Sequence, residues 1–130
     1  MSMPAIKEKM VQADGIRLHV TETGNPEGPV LVWLHGAGPG ASGMDNFSAN
    51  IDSFPGFRNL VFDFPRYGKS DKPAVKEPLF SYNARQVIAA LDTLGVKKAT
   101  MIGNSMGGGT ALRMAVLRPD LIERLVLMGS

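Results

Sequence analysis

A mostly parallel β-sheet with helices on both faces is the fold class this sequence predicts, and three observations carry the prediction. Val30-Leu31-Val32-Trp33-Leu34 and Asn59-Leu60-Val61-Phe62-Asp63 are short, nearly continuous apolar runs, the pattern of strands buried on both faces. Segments of helical periodicity alternate with these runs, as in α/β layered domains. Two glycine-rich stretches follow directly on apolar runs, and α/β sheets place their ligands at the carboxyl ends of strands. A chain of 130 residues is one domain at most, 1–130, and is long enough to bury a core.

The elements follow in order. Lys7–Gln12 and Ile16–Thr23 read as strands joined by Ala13-Asp14-Gly15, where the Asp-Gly pair favours a hairpin. In the second strand Ile16, Leu18 and Val20 share one face and Arg17, His19 and Thr21 the other; His19 is therefore expected on the solvent side, as a sheet residue rather than a catalyst. Gly24–Pro29 has loop chemistry. After the strand 30–34, Met44–Phe54 is expected to form a short helix with Phe47, Ile51 and Phe54 on one side. The strand 59–63 leads into a turn-rich loop, Phe64–Pro73. A helix capped by Ser81 runs to about Leu94 and turns Ala84, Val87, Ile88, Leu91 and Leu94 inward, with Gly95 ending it. Ala99-Thr100-Met101-Ile102 is the next strand, a helix to Leu117 follows, and Arg124–Met128 is the last strand.

Between the strand at 99–102 and its helix lies Gly103-Asn104-Ser105-Met106-Gly107. Strand, tight turn with serine at the tip, then helix is the context that makes Gly-x-Ser-x-Gly a nucleophile elbow. The turn brings backbones together on either side of the serine, where a Cβ would clash. Ser105 is expected in a strained conformation that lifts Oγ clear of the sheet at a helix N-terminus. The other glycine-rich loop is His35-Gly36-Ala37-Gly38-Pro39-Gly40-Ala41-Ser42-Gly43. It lacks the Lys-Ser/Thr pair of a P-loop and the spacing of a dinucleotide fingerprint. An oxyanion loop that adds an N–H to that of the residue after the nucleophile is the reading that remains beside an ordinary loop.

Composition narrows the function classes. Fourteen Lys and Arg against 12 Asp and Glu give a net charge of +2, and only Lys97 and Lys98 are adjacent. No basic stripe points to nucleic acid or to an anionic membrane surface. There is no cysteine, hence no disulfide and no thiolate metal site. No apolar run approaches the length of a transmembrane span. The start Met1–Lys9 is too polar for a secretory signal, which makes the cytoplasm the expected location.

With these motifs in place, the chain resembles the N-terminal half of an α/β-hydrolase-fold enzyme. The resemblance rests on His35-Gly36-Ala37-Gly38, on Asp63-Phe64-Pro65-Arg66-Tyr67-Gly68-Lys69-Ser70-Asp71, and on Gly103-Asn104-Ser105-Met106-Gly107-Gly108. Within that superfamily it is most similar to the meta-cleavage-product hydrolases. These are serine-dependent enzymes that hydrolyse a C–C bond in 2-hydroxy-6-oxo-hexa-2,4-dienoates during aromatic catabolism. Gly38-Pro39-Gly40, Asn46, Asn104 and the ending Leu125-Val126-Leu127-Met128-Gly129 carry this closer likeness. The resemblance implies Ser105 as nucleophile and the backbone N–H groups of Ala37 and Met106 as oxyanion hole. It implies Gly36 and Gly38 as the loop that approaches substrate, and Asn46 and Asn104 as polar contacts to the dienolate and carboxylate end. His35 resembles the histidine that braces the oxyanion loop rather than the base. No metal or organic cofactor, a small-molecule substrate and a homo-oligomer when complete are further expectations of the resemblance.

The sequence departs from the family in two places. Family order is Ser, Asp, His, yet no histidine follows Ser105 and the only later aspartate is Asp120. Without a base the serine is a poor nucleophile, so these 130 residues alone are expected to be nearly inactive, with the sheet incomplete and the lid absent. Arg66 stands where related loops carry glycine, which affects the local turn and one edge of the pocket. A carboxylesterase on the same fold and a non-catalytic binding protein on a truncated scaffold are the rival readings.

Overall fold

The computed structural model describes residues 6–129; Met1–Ala5 of the polar N-terminal stretch and Ser130 lie outside them. Six strands form one sheet: β1 (Lys7–Gln12), β2 (Arg17–Gly24), β3 (Val30–Leu34), β4 (Arg58–Phe62), β5 (Ala99–Asn104) and β6 (Ile122–Met128). Their spatial order is β1-β2-β4-β3-β5-β6. The opening hairpin is antiparallel and β2 also meets β4 antiparallel, whereas β4, β3, β5 and β6 run parallel.

Three helices cover the sheet, α1 (Gly43–Ile51), α2 (Leu79–Thr93) and α3 (Met106–Leu117). The period of two along β3 explains why both faces are dry. Val32 and Leu34 join Val87, Leu91, Ala111 and Met114 of α2 and α3 in one core. Leu31 and Trp33 point the other way, onto Phe47 and Ile51 of α1.

Element boundaries differ from the sequence expectations in informative ways. α1 begins at Gly43 because the Ser42 hydroxyl accepts the Asp45 N–H at 3.2 Å, and it ends at Ile51. Phe54 lies beyond the helix in a turn, yet its ring still packs 5.6 Å from Trp33. Ser81 is not the cap of α2. That helix starts at Leu79 behind Pro78, whose fixed φ already suits a helix entry, and Ser81 Oγ instead accepts from Arg113 Nε at 3.1 Å. β4 starts one residue early, and β6 starts at Ile122.

His19 is the clearest correction. It is buried, at 7% exposure, and not on a solvent face. The loop after β4 folds over this side of β2: Ser70 Oγ accepts the His19 N–H at 2.8 Å. Asp63 Oδ2 lies 2.8 Å from the ring Nδ1, and Glu8 Oε1 2.9 Å from Nε2.

Candidate active site

β3 and β5 are neighbours, with Leu34 opposite Gly103. The chain leaves β3 towards β4 on one side and reaches β5 on the other. Such a switch point opens a crevice outside the strand ends, and both glycine-rich loops emerge there.

Ser105 occupies φ 55°, ψ −110° between β5 and α3, a conformation that costs an L-residue about 1–3 kcal/mol. The flanking glycines make the turn physically feasible. A Cβ on Gly103 would stand 2.5 Å from Gly107 O, and one on Gly107 would run into the Leu34 carbonyl. Gly107 is thus required by β3 as well as by its own turn. The first N–H groups of α3 have no acceptor within the helix, and among the described residues Met106 N–H donates to no protein group. Ala37 N–H is free in the same sense.

The loop that follows β3 lies against the elbow. A Cβ on Gly36 would stand 3.5 Å from Ser105 Cβ and 3.4 Å from Asn104 O, contact distances that show how closely the loop lies on the elbow. Asn46, on α1, ties the two loops together: its Oδ1 accepts the Gly36 N–H at 3.0 Å and Asn104 Nδ2 at 2.9 Å. Gly36, Ala37, Asn46, Asn104 and Ser105 line one open cleft of about 330 Å³, together with Asp45. Gly38 is not in its wall. It borders a larger cavity of about 620 Å³ that shares Ala41 with the serine cleft.

His35 is fully buried, its ring tilted against Phe64 and edge-on to Tyr67. Its Nδ1 donates to Gly36 O at 2.8 Å, and its Nε2 accepts the Phe64 N–H at 3.0 Å. Burial is the main reason its pKa lies below the ordinary 6.5, since desolvation disfavours the charged ring. With Nε2 an acceptor, His35 has no lone pair to offer a serine, and it fastens the start of the Gly36–Gly38 loop to the end of β4. Among the described residues no side chain accepts from Ser105 Oγ.

Asp63 is the residue that sequence reasoning missed. Its carboxylate accepts Gly43 N–H (2.8 Å), Lys69 N–H (3.1 Å) and a contact from His19. It thereby anchors α1, and through α1 Asn46. The available signal was a carboxylate at the end of an otherwise apolar strand, a place where an acid is found only with partners.

No helix of the described residues is long and apolar enough to cross a membrane. Among the same residues no cluster of His, Asp and Glu could hold a metal ion.

Sheet topology, elbow and facing glycine loop define the class. Residues 29–130 match the alpha/beta hydrolase fold family, and the chain belongs to it. A 2-hydroxy-6-oxononadienedioate/2-hydroxy-6-oxononatrienedioate hydrolase of Pseudomonas sp. is 46% identical over 115 residues, 87% of this chain and 40% of the relative. A 2-hydroxy-6-oxo-6-phenylhexa-2,4-dienoate hydrolase of Comamonas testosteroni is 41% identical over 114 residues, 86% of this chain and 39% of the relative. The solved 2-hydroxy-6-oxo-6-phenylhexa-2,4-dienoate hydrolase of Rhodococcus sp. strain RHA1 superposes with a TM-score of 0.92 at 29% identity, over 98% of this chain and 47% of that one. The chain spans about two fifths of the length of the curated relatives it matches.

Proposed function

We propose that the protein is a serine-dependent hydrolase that cleaves the C–C bond of 2-hydroxy-6-oxo-dienoate ring-cleavage products. The observation that supports this reading is the approach of Gly36 to Ser105, with the Ala37 and Met106 N–H groups donating to no protein group among the described residues. The names of its relatives support the substrate class.

In this mechanism the dienol is first ketonised. Ser105 Oγ then adds to the C6 carbonyl, and the Ala37 and Met106 N–H groups donate to the oxyanion as charge develops there. Collapse breaks the C5–C6 bond, its electron pair passes through the C3=C4 enone to the C2 oxygen, and that oxygen takes up a proton to give 2-hydroxypenta-2,4-dienoate. Water releases the acyl group from Ser105 as an acid. Asn46 and Asn104 face the same cleft and orient the dienoate end. The serine proton needs a base, and among the described residues no side chain accepts it: His19 and His35 are engaged elsewhere, and the Asp120 carboxylate pairs with Arg118. In the family order Ser, Asp, His the base and its partner follow the nucleophile, and the relatives that the chain matches are more than twice as long as it is.

A carboxylesterase shares the early steps, and fold alone does not separate the two. Steady-state kinetics on the whole protein decide. The C–C hydrolase gives a kcat/KM for the dienoate, followed by loss of its chromophore, at least about a hundredfold above that for a nitrophenyl ester. Ester hydrolysis without bleaching establishes the esterase.

A further inference from the structure

We propose that the cavity between the Gly38–Ala41 loop and the Pro65–Gly68 turn is a carboxylate subsite. In it Arg66 and Lys72 receive an anionic group at the far end of the substrate's acyl side chain. The inference rests on the proposed function and narrows its substrate to a dicarboxylate.

The cavity holds about 620 Å³, and its only charged wall residues are Arg66 and Lys72. The adjoining hollow of about 560 Å³ is lined by the same two cations and no acid. Acids of the loop are committed elsewhere: Asp63 faces His19 and Gly43, and Asp71 accepts the Arg17 N–H at 2.8 Å. Lys69, three residues after Arg66, is paired with Glu8 at 2.8 Å. The Arg66 backbone N–H donates to Asp71 O at 2.9 Å, whereas its guanidinium, with five donors, has no acceptor among the described residues. Lys72 Nζ donates to Gly68 O at 2.8 Å and Ser70 O at 3.2 Å, which fixes it at the wall with one N–H to spare. Two cations with no counter-charge, Lys72 held and the Arg66 guanidinium with all its donors open, set among Pro39, Tyr67 and Leu79, suit a carboxylate on a short apolar chain and disfavour a phenyl ring.

The backbone strengthens the case. Arg66 stands at φ 76°, one of two non-glycine residues at positive φ among those described, the other being Ser105. Holding an L-residue there costs about 1–2 kcal/mol, and such strain gathers at functional positions. Ala41 borders both this cavity and the serine cleft. A substrate with its carbonyl at Ser105 can therefore extend its acyl chain past Ala41 towards the cations.

The test compares two substrates on the whole protein, 2-hydroxy-6-oxonona-2,4-dienedioate and 2-hydroxy-6-oxo-6-phenylhexa-2,4-dienoate. Hydrolysis of the first releases succinate and of the second benzoate. Arg66→Gly, which relieves the positive φ and so preserves the fold, is expected to lower the dioate-to-phenyl ratio of kcat/KM at least about tenfold, the worth of a charge-assisted hydrogen bond. Arg66→Lys should recover part of the ratio. An unchanged ratio overturns the proposal, and so does an equal fall on both substrates, which would assign Arg66 to the carboxylate common to all dienoates. Calorimetric titration with succinate gives a readout free of turnover, with binding expected to weaken at least tenfold in Arg66→Gly. If neither substrate is cleaved, the proposed function fails while succinate binding still decides the subsite.

Discussion

Ser105 and His35 occupy neighbouring loops with opposite physical demands. The serine is strained and exposed, so its backbone is held by what surrounds it rather than by its own preference. The histidine is relaxed, buried and bonded through both ring nitrogens in a neutral form. Its lowered pKa has a consequence for stability. The unfolded chain takes a proton on this ring near pH 6.5, whereas the folded one does not until the pH is lower. In that window the unfolded state binds more protons, so stability falls as the pH drops through about 6.5. Urea titrations of the whole protein between pH 7.5 and 5.5 should show this slope, and His35→Gln should reduce it. A slope unaltered by the substitution would mean that His35 is not the buried neutral group. His35 was singled out as a brace by family likeness. The burial of His19 was not legible, because strand alternation says which face a residue takes but not whether a distant loop will cover that face.

At the scale of elements, the elbow was the most legible part of the chain. Its glycines, its strand and its helix each follow from local sterics, and the structure adds that Gly107 is also pressed against β3. Gly107→Ala is accordingly predicted to cost more than about 3 kcal/mol, since the obstacle is backbone on a neighbouring strand and has no rotamer to yield. Thermal melts check this directly; a variant melting within a few degrees of wild type contradicts the packing described. The helices were legible as helices but less so as positioning devices. Periodicity located α1 by Phe47 and Ile51, while its start depended on Ser42 and on Asp63 accepting the Gly43 N–H, a contact 20 residues distant in the chain. Asn46 was singled out by family likeness alone. Its use, accepting from both Gly36 and Asn104, is a three-element arrangement that no local pattern encodes.

Across the molecule, alternating strands and helices implied a parallel sheet, and the order β1-β2-β4-β3-β5-β6 adds the switch point that brings β3 and β5 side by side. The site is a product of that order, since its two loops are about 70 residues apart in sequence and meet only there. β6, at the sheet's edge among the described residues, exposes Val126, Leu127 and Met128, and α3 exposes Leu112 and Val116. Such an apolar edge needs cover, in keeping with relatives more than twice as long. The most direct test of Ser105 as the nucleophile is the rate at which the whole protein bleaches a 2-hydroxy-6-oxo-dienoate, with wild type and Ser105→Ala compared at equal folded concentration. A nucleophilic Ser105 predicts rapid bleaching by wild type and a loss of at least about a thousandfold in the variant. Bleaching that survives the substitution, or that wild type never shows, would contradict it.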